Sequence, residues 1–360
     1  MPIVNPKSPI TLTLWRQPAY TRMVPHKGGS TLVKSQVLAA LEEARGHYLS
    51  GQDLAQRLGV SRTAIWKAVA ALRTDGVPIE AVTNRGYALS ADADLLHADA
   101  ITALLTPEAA KELRIEVFDR LPGTNAALRA RADATVPEGL VLIAQAQSAG
   151  RGRSGRSFFS PPGGLYLSLL LRPELAARQA VFLTVMAAVA AARACEAVCG
   201  GTIQIKWVND LWKDGKKVCG ILTEASMDVE SGLLEYAIVG LGFNLLPPPG
   251  GWPAELQGIA GSLLDGTPPS GARTRLAAAF LNEFWSLYRQ DLRRDYLPDY
   301  RARQVLPGQL VEVRPGRGTP YRATAVALDE ECRLLVRPEG SQRLVALQSG
   351  EVQILPAPNL

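Results

Sequence analysis

Between Thr31 and Ser90 apolar residues recur at helical spacing: Val33, Val37, Leu38 and Leu41, then Leu54, Ala55 and Leu58, then Ile65, Val69 and Leu72. The pattern predicts three short helices. The tight turn Gly59-Val60-Ser61 joins the second to the third, with Ser61 placed to cap a helix beginning at Arg62. Such a pair is a helix-turn-helix. The segment GVPIEAVTNRGYALS adds two short strands about Thr83-Asn84-Arg85-Gly86, which would form a wing.

Further on the period changes. Ile115 to Phe118 reads as a strand, Leu121-Pro122-Gly123-Thr124-Asn125 as a turn, and Ala126 to Ala132 as a helix capped by Thr124. Leu140 to Ala146 and Leu165 to Leu171 are strands, and Glu174 to Cys199 reads as one long helix, apolar on most faces and so buried against a sheet. Strands follow at Ile203 to Trp207, Val218 to Glu224 and Glu235 to Leu245, the second reached through a hairpin turn at Lys213 to Lys216. Thr274 to Arg289 is an amphipathic helix. Beyond Pro307 the runs LVEVR, YRATAVAL, RLLVR, RLVAL and EVQIL predict a small β-barrel.

Composition narrows the classes. A chain of 360 residues, 47% hydrophobic and 20% charged, suits a globular protein of two or three domains. A net charge of +5 permits nucleic-acid binding without requiring it. Cys195, Cys199, Cys219 and Cys332 form no CxxC pair, which argues against a zinc site or a disulfide framework and for a reducing cytoplasm. The three histidines are His26, His47 and His97, so from Ala98 onward neither His-based triads nor His-ligated metal is available. The first thirty residues lack an apolar signal core and read as a disordered extension or a mis-called start. The apolar run Ala180 to Ala192 is too short to span a membrane and is stopped by Arg193.

Chemistry concentrates in QAQSAGRGRSGR, Gln145 to Arg156. Arg151, Arg153 and Arg156 stand among Gly150, Gly152 and Gly155, so the backbone can approach a ligand while three planar forks of donors face phosphate or carboxylate oxygens. Taken alone the stretch suits either an anion site or a solvated, nucleic-acid-facing basic loop. GRGRSGRS comes close to the phosphate-binding GxxxxGK[ST] pattern, but that loop must open a helix. Here two prolines and two glycines lead into another strand instead. Strand ends also gather Lys206, Asn209, Asp210 and Lys217, a set able to neutralise a reacting phosphoryl group or simply to bridge a hairpin. In the N-terminal module Arg57 to Arg73 holds four basic residues (Arg57, Arg62, Lys67, Arg73) and no acidic one. Ser61, Arg62, Thr63 and Lys67 would then meet DNA phosphates or base edges, the alternative being a winged helix that binds protein, while Trp66 fits packing better than DNA contact.

Four segments together resemble the bifunctional biotin protein ligases that also repress the biotin operon: SGQDLAQRLGVSRTAIWKAVAALRTDGVPIEAVTNRGYAL, GRGRSGRSFFSPPGGLYLSLLLR, KWVNDLWKDGKKVCGILTE and VGLGFNL. The resemblance covers nearly all of Thr31 to Leu355. It implies an α+β protein. A disordered extension (1–30) would precede a winged helix-turn-helix (31–91), a mixed-sheet ligase domain of the class II synthetase or biotin-lipoate ligase type (92–305) and an SH3-like barrel (306–360). The implied reaction joins biotin to ATP as biotinyl-5′-adenylate, with Mg²⁺ accompanying ATP, and passes biotin to one lysine of the biotin carboxyl carrier protein of acetyl-CoA carboxylase. Operator DNA, a homodimer holding the adenylate and a cytoplasmic setting without membrane are implied as well.

By the same resemblance Arg151, Arg153 and Arg156 close over biotin and the adenylate phosphate, and Lys217 contacts the carboxylate and α-phosphate. Asn209 and Asp210 position nucleotide, metal or the incoming amine. Gly123, Thr124, Asn125, Gln147 and Gly220 line the biotin pocket, while Asn244 lies near the nucleotide. Lys217, Arg153 and Asp210 would carry catalysis, with no metal-ligating side-chain cluster beyond a Mg²⁺ near Asp210. Four departures stand out: Gly123 replaces a serine, Ser154 an arginine, Phe158 a tryptophan over adenine, and Val208 the proline of KWPND. A second reading is a DNA-binding sensor of biotin or another small acid whose ligase activity is lost or lipoate-like.

Overall fold

The N-terminal helices form where the spacing places them. In the computed structural model, which describes residues 30–74, 77–89, 96–266, 269, 271–290, 294–315, 318–348 and 351–355, these are α1 (Ser30–Glu43), α2 (Gly51–Leu58) and α3 (Arg62–Thr74). The proposed extension 1–30 falls, but for Ser30, outside the described residues. Ser50 Oγ accepts the Asp53 amide hydrogen (3.0 Å), Ser61 Oγ accepts that of Ala64 (3.2 Å), and Gly59 takes the left-handed conformation (φ 65°) that ends α2. Strands β1 (Ile79–Val82) and β2 (Gly86–Leu89) pair antiparallel as a wing. Leu38, Leu54, Ile65 and Leu72 make the core of this module. Trp66 overturns the packing expectation, because it is 62% exposed. The α3 core face carries Ile65, Val69 and Leu72, which leaves Arg62, Thr63, Trp66 and Lys67 together in solvent.

Two short helices that the spacing did not reveal, α4 (Ala98–Ala103) and α5 (Pro107–Glu112), lead into the centre. Adjacent residues of α4 join the two units: Ala100 belongs to the N-terminal core and Ile101 to the central one. The central sheet contains β3 (Arg114–Leu121), β4 (Leu140–Gln147), β5 (Leu165–Leu171), β6 (Gln204–Lys206), β7 (Asp210–Lys213), β8 (Lys216–Met227) and β9 (Leu234–Phe243). Its order is β3-β4-β5-β9-β8-β7-β6, parallel only between β3 and β4.

Between β3 and β4, α6 (Thr124–Arg129) begins one residue earlier than a Thr124 cap requires. Gly123 is the N-cap and makes no side-chain bond, so Thr124 is the first helical residue and its hydroxyl turns inward. Helix α7 (Val181–Cys199) starts later than expected. Leu175 and Ala176 pair with the strand side instead, Leu234 N–H donating to Leu175 O at 2.8 Å. Together with the turn before it, Ala177–Cys199 exceeds the apolar run Ala180 to Ala192 and is long and apolar enough to cross a membrane by length and composition. It is the core helix here: Ala187 to Ala192 are fully covered by the sheet and by α8 (Ala272–Arg289).

After α9 (Leu297–Ala302) come β10 (Leu310–Arg314), β11 (Tyr321–Leu328), β12 (Leu334–Pro338), β13 (Val345–Leu347) and β14 (Glu351–Ile354). They form one antiparallel sheet in the order β13-β12-β11-β10-β14. Its apolar face continues the central core through Val311, Val313, Leu334 and Val336. Two hydrogen bonds fasten this unit and α9 to the segment ahead of β7. Trp207 Nε1 donates to Cys332 O (2.8 Å) and the Tyr300 hydroxyl donates to Val208 O (3.0 Å).

Candidate active site

The glycine-arginine stretch is a strand-to-strand loop between β4 and β5, as its prolines require. It closes on itself in steps: Phe158 N–H donates to Gly150 O (2.9 Å), and Gly152 N–H to Arg156 O (2.8 Å). A Cβ on Gly150 would lie 2.6 Å from Phe158 O, so only glycine permits this pinch. Ser154 (φ 56°) and Gly155 (φ 74°) turn the tip through the left-handed region. Arg151 and Arg156 are exposed, and Arg153 is half-buried because it reaches inward, Nη1 donating to Asn209 Oδ1 at 3.2 Å.

Asn209 and Asp210 sit where β6 turns into β7. Asn209 Nδ2 donates to Ile221 O (2.7 Å), fixing its amide, and Asp210 faces Lys217 on β8, with Nζ 2.6 Å from Oδ1. The Lys217 backbone is gripped from two sides: its N–H donates to Ile259 O (2.8 Å), and its carbonyl accepts from Gly261 N–H (2.9 Å). Asn244 Nδ2 donates to the same carbonyl (3.3 Å). Asn244 is therefore buried behind Lys217 and is not among the cavity-lining residues.

Phe158 folds into the site as a floor-covering ring. Its edge lies so close to Gly220 and Gly242 that a Cβ at either would come within 2.9 and 2.4 Å of it, and Lys217 Nζ lies 5.8 Å from the ring centre. At the opposite end, Thr124 N–H donates to Gln147 Oε1 (2.8 Å), and Gln147 Nε2 donates to Ser160 Oγ (2.9 Å). Asn125 Nδ2 donates to Glu224 Oε2 (2.8 Å) and to Leu222 O (3.2 Å).

One cavity of about 580 Å³ unites these parts. Its wall includes Gly123, Thr124, Asn125, Gln147, Arg151, Arg153, Arg156, Phe158, Asn209, Asp210, Lys217 and Gly220, so every expected central residue except Asn244 is brought together. It also includes Lys206, which the sequence reading grouped with Asn209, Asp210 and Lys217, and residues that reading did not single out: Arg129, Trp212, Glu224, and Arg314 and Gln353 from the C-terminal sheet. Seven lining residues are basic (Arg129, Arg151, Arg153, Arg156, Lys206, Lys217, Arg314) against two acidic (Asp210, Glu224), which selects an anionic guest. Lys206 lies 5.1 Å from the Trp212 ring centre, and burial holds its ammonium below the ordinary value against the pull of Asp210. A signal for Glu224 was present in the sequence, since it is the carboxylate that ends the apolar run VCGILTE. Nothing local marked Arg314, which arrives through tertiary packing.

Ser61, Arg62, Thr63 and Lys67 all stand exposed on the N-terminal module, away from the cavity wall, with the Ser61 oxygen engaged as a cap.

The pattern of the biotin/lipoate A/B protein ligase family matches residues 117–244, and that of an HTH domain matches residues 33–88. The bifunctional ligase/repressor BirA of Bacillus subtilis (strain 168) is 32% identical over 329 residues, spanning 90% of this chain and 99% of that protein. The bifunctional ligase/repressor BirA of Escherichia coli (strain K12) is 34% identical over 203 residues, 56% of this chain and 61% of that one. In fold, the chain is similar to the biotin protein ligase from Aquifex aeolicus in complex with biotin and ATP. The TM-score is 0.55 at 24% identity, over 68% of this chain and 99% of that one.

Proposed function

Since the chain belongs to the bifunctional biotin ligase/repressor family, we propose the following course for its reaction and roles for its residues. The protein is an ATP-dependent biotin protein ligase with a DNA-binding repressor module. The biotin carboxylate attacks the ATP α-phosphorus, the bond to the β-phosphate oxygen breaks, and pyrophosphate leaves biotinyl-5′-adenylate. The unprotonated ε-amine of the carrier lysine then attacks the acyl carbon, AMP departs, and an amide remains. Both nucleophiles come from substrates. No histidine base is needed, which suits a chain without one beyond His97.

The observation that carries this reading is a single cavity with a strongly basic end and an end lined by amide and hydroxyl groups. An anion attacking an anion needs fixed positive charge at the reacting atoms, and Lys217 and Arg153 supply it, held by Asp210 and Asn209 at 2.6 and 3.2 Å. Arg151 and Arg156 cover the phosphates, Phe158 offers a stacking face to adenine, and Thr124, Asn125 and Gln147 receive the ureido ring. Asn244 acts behind Lys217, not on the nucleotide. The donor set fits a Mg²⁺ that arrives with ATP: Asp210 offers one carboxylate, and phosphate oxygens and water complete such a shell. Held there, the metal would neutralise triphosphate charge.

The C-terminal sheet is an SH3-like barrel that lends Arg314 to the cavity rim, and the units divide as 31–91, 92–305 and 306–360. The carrier is the biotin carboxyl carrier protein, the adenylate-bound form is a homodimer on operator DNA, and the setting is the cytoplasm. Intact Lys217, Asp210 and loop arginines disfavour a sensor without catalysis. Incubation with ATP, Mg²⁺, a carrier domain and either biotin or lipoate decides the matter by mass: addition of biotin to the carrier is expected. An adduct with lipoate alone, or none, refutes it.

A further inference from the structure

Ser168, in the middle of the strand LYLSLLL, is fully buried, where an unpartnered hydroxyl would be costly. It lies 2.6 Å from Asn125 Oδ1 and 2.7 Å from Thr124 Oγ1. The direction of every hydrogen in this chain follows from its ends. The Glu224 carboxylate, also paired with Arg129 at 2.8 Å, only accepts, and the Leu222 carbonyl only accepts, so both hydrogens of Asn125 Nδ2 are committed to them. Asn125 Oδ1, which can only accept, therefore faces Ser168, and the Ser168 hydrogen lies on the 2.6 Å line. A hydroxyl has one hydrogen. The hydrogen between the two hydroxyls, 2.7 Å apart, must belong to Thr124.

At the other end Gln147 Oε1 accepts from Thr124 N–H (2.8 Å), Gln147 Nε2 donates to Ser160 Oγ (2.9 Å), and Ser160 donates to Phe158 O (2.9 Å). Thr124 Oγ1 and Gln147 Oε1 face each other at 3.2 Å, and the one hydrogen Thr124 could place there is claimed by the shorter contact. Two acceptors are thus held side by side on the cavity wall. Gly240 keeps the arrangement in register, since a Cβ there would lie 1.9 Å from Asn125 Oδ1.

We propose that Ser168 is a positioning residue for ligand selection: held by Asn125 and Glu224, it takes the Thr124 hydrogen and so fixes Thr124 and Gln147 as a paired acceptor for a ligand N–H. The inference rests on the biotin reading, in which that N–H is ureido. Removing Ser168 frees the Thr124 hydrogen to turn onto Gln147 Oε1, and the paired acceptor is lost.

The test uses the full chain and pyrophosphate release, with biotin and ATP titrated separately, for wild type, Ser168→Ala, Thr124→Val, the double variant and Ser168→Thr. Ser168→Ala should raise the KM for biotin roughly tenfold, with kcat and the KM for ATP within about twofold. The double variant should come close to Thr124→Val alone in its biotin KM, because the paired acceptor that Ser168 fixes is set through the Thr124 hydrogen. Ser168→Thr, which keeps the hydroxyl, should restore most of the affinity. Glu224→Ala, at a half-exposed site, should give the same signature on a smaller scale, and it keeps the idea testable if Ser168 variants misfold. An unchanged biotin KM in folded Ser168→Ala, additive effects in the double variant, or equal changes in both KM values would overturn the inference. If wild type forms no adenylate from biotin, the parent reading fails instead.

Discussion

Replacing Gly123 by serine, the residue usual in the family this chain resembles, should improve both stability and biotin use. Gly123 has φ −170° and ψ 137°, extended backbone that any residue adopts. A Cβ there meets Ala149 O at 3.6 Å, Gln147 Oε1 at 3.8 Å and Ala126 Cβ at 3.9 Å, all ordinary contacts. It is also the N-cap of α6 and makes no side-chain bond. A serine oxygen can accept a first-turn amide hydrogen, a gain of a few tenths of a kcal/mol over glycine. Lower entropy of the unfolded chain adds roughly 0.4–1 kcal/mol. The sum, about 0.5–1.5 kcal/mol, corresponds to a melting shift of roughly 0.7–2 °C for a chain of 360 residues. The hydroxyl hydrogen stays available to a ligand carbonyl, and one such bond, about 0.5–1.5 kcal/mol, lowers the biotin KM by roughly 2- to 12-fold. Calorimetry and pyrophosphate release measure the two effects. Gly123→Ala is the control, because it shares the entropy gain without the hydroxyl. The reasoning fails if Gly123→Ser melts below wild type, or if Gly123→Ala lowers KM as much as serine does.

Lys217→Ala should abolish adenylate formation while DNA binding persists, as followed by pyrophosphate release and by gel shift; a fully active variant would remove Lys217 from the mechanism. Arg62→Ala with Lys67→Ala should reduce the slope of log affinity against log salt on duplex DNA by about 1.8, near 0.9 per lost phosphate contact, with ligation unchanged. An unaltered slope would place the contacts elsewhere. The hydrogen bond from Arg303, foremost, holds the Glu196 carboxyl below its ordinary value of 4.5. A depressed carboxyl stabilises the fold fully above that value and loses its contribution as pH falls through the lower, folded-state one. Glu196→Gln should therefore cost stability at pH 7 and lessen the fall in melting temperature on acidification below about pH 4.5; melting curves parallel to wild type at all pH would refute the pairing.

The sequence by itself determined most of the elements and pointed to most of the residues that line the cavity. Helical spacing placed α1 to α3, prolines after the arginine loop forced a strand, and residue types at Lys217, Asp210 and Arg153 announced anion chemistry, because these are local properties of the chain. What it left open was decided by contacts between distant segments. Trp66 lies outside and not inside because the module's core is complete without it. Thr124 became a helical residue whose hydroxyl is bound by Ser168, 44 positions away, instead of a cap. Asn244 bonds to the back of Lys217, and Arg314 reached the cavity from the last sheet. In each case a side chain's partner is chosen by which strands the sheet sets side by side, and periodicity along the chain carries no record of that choice.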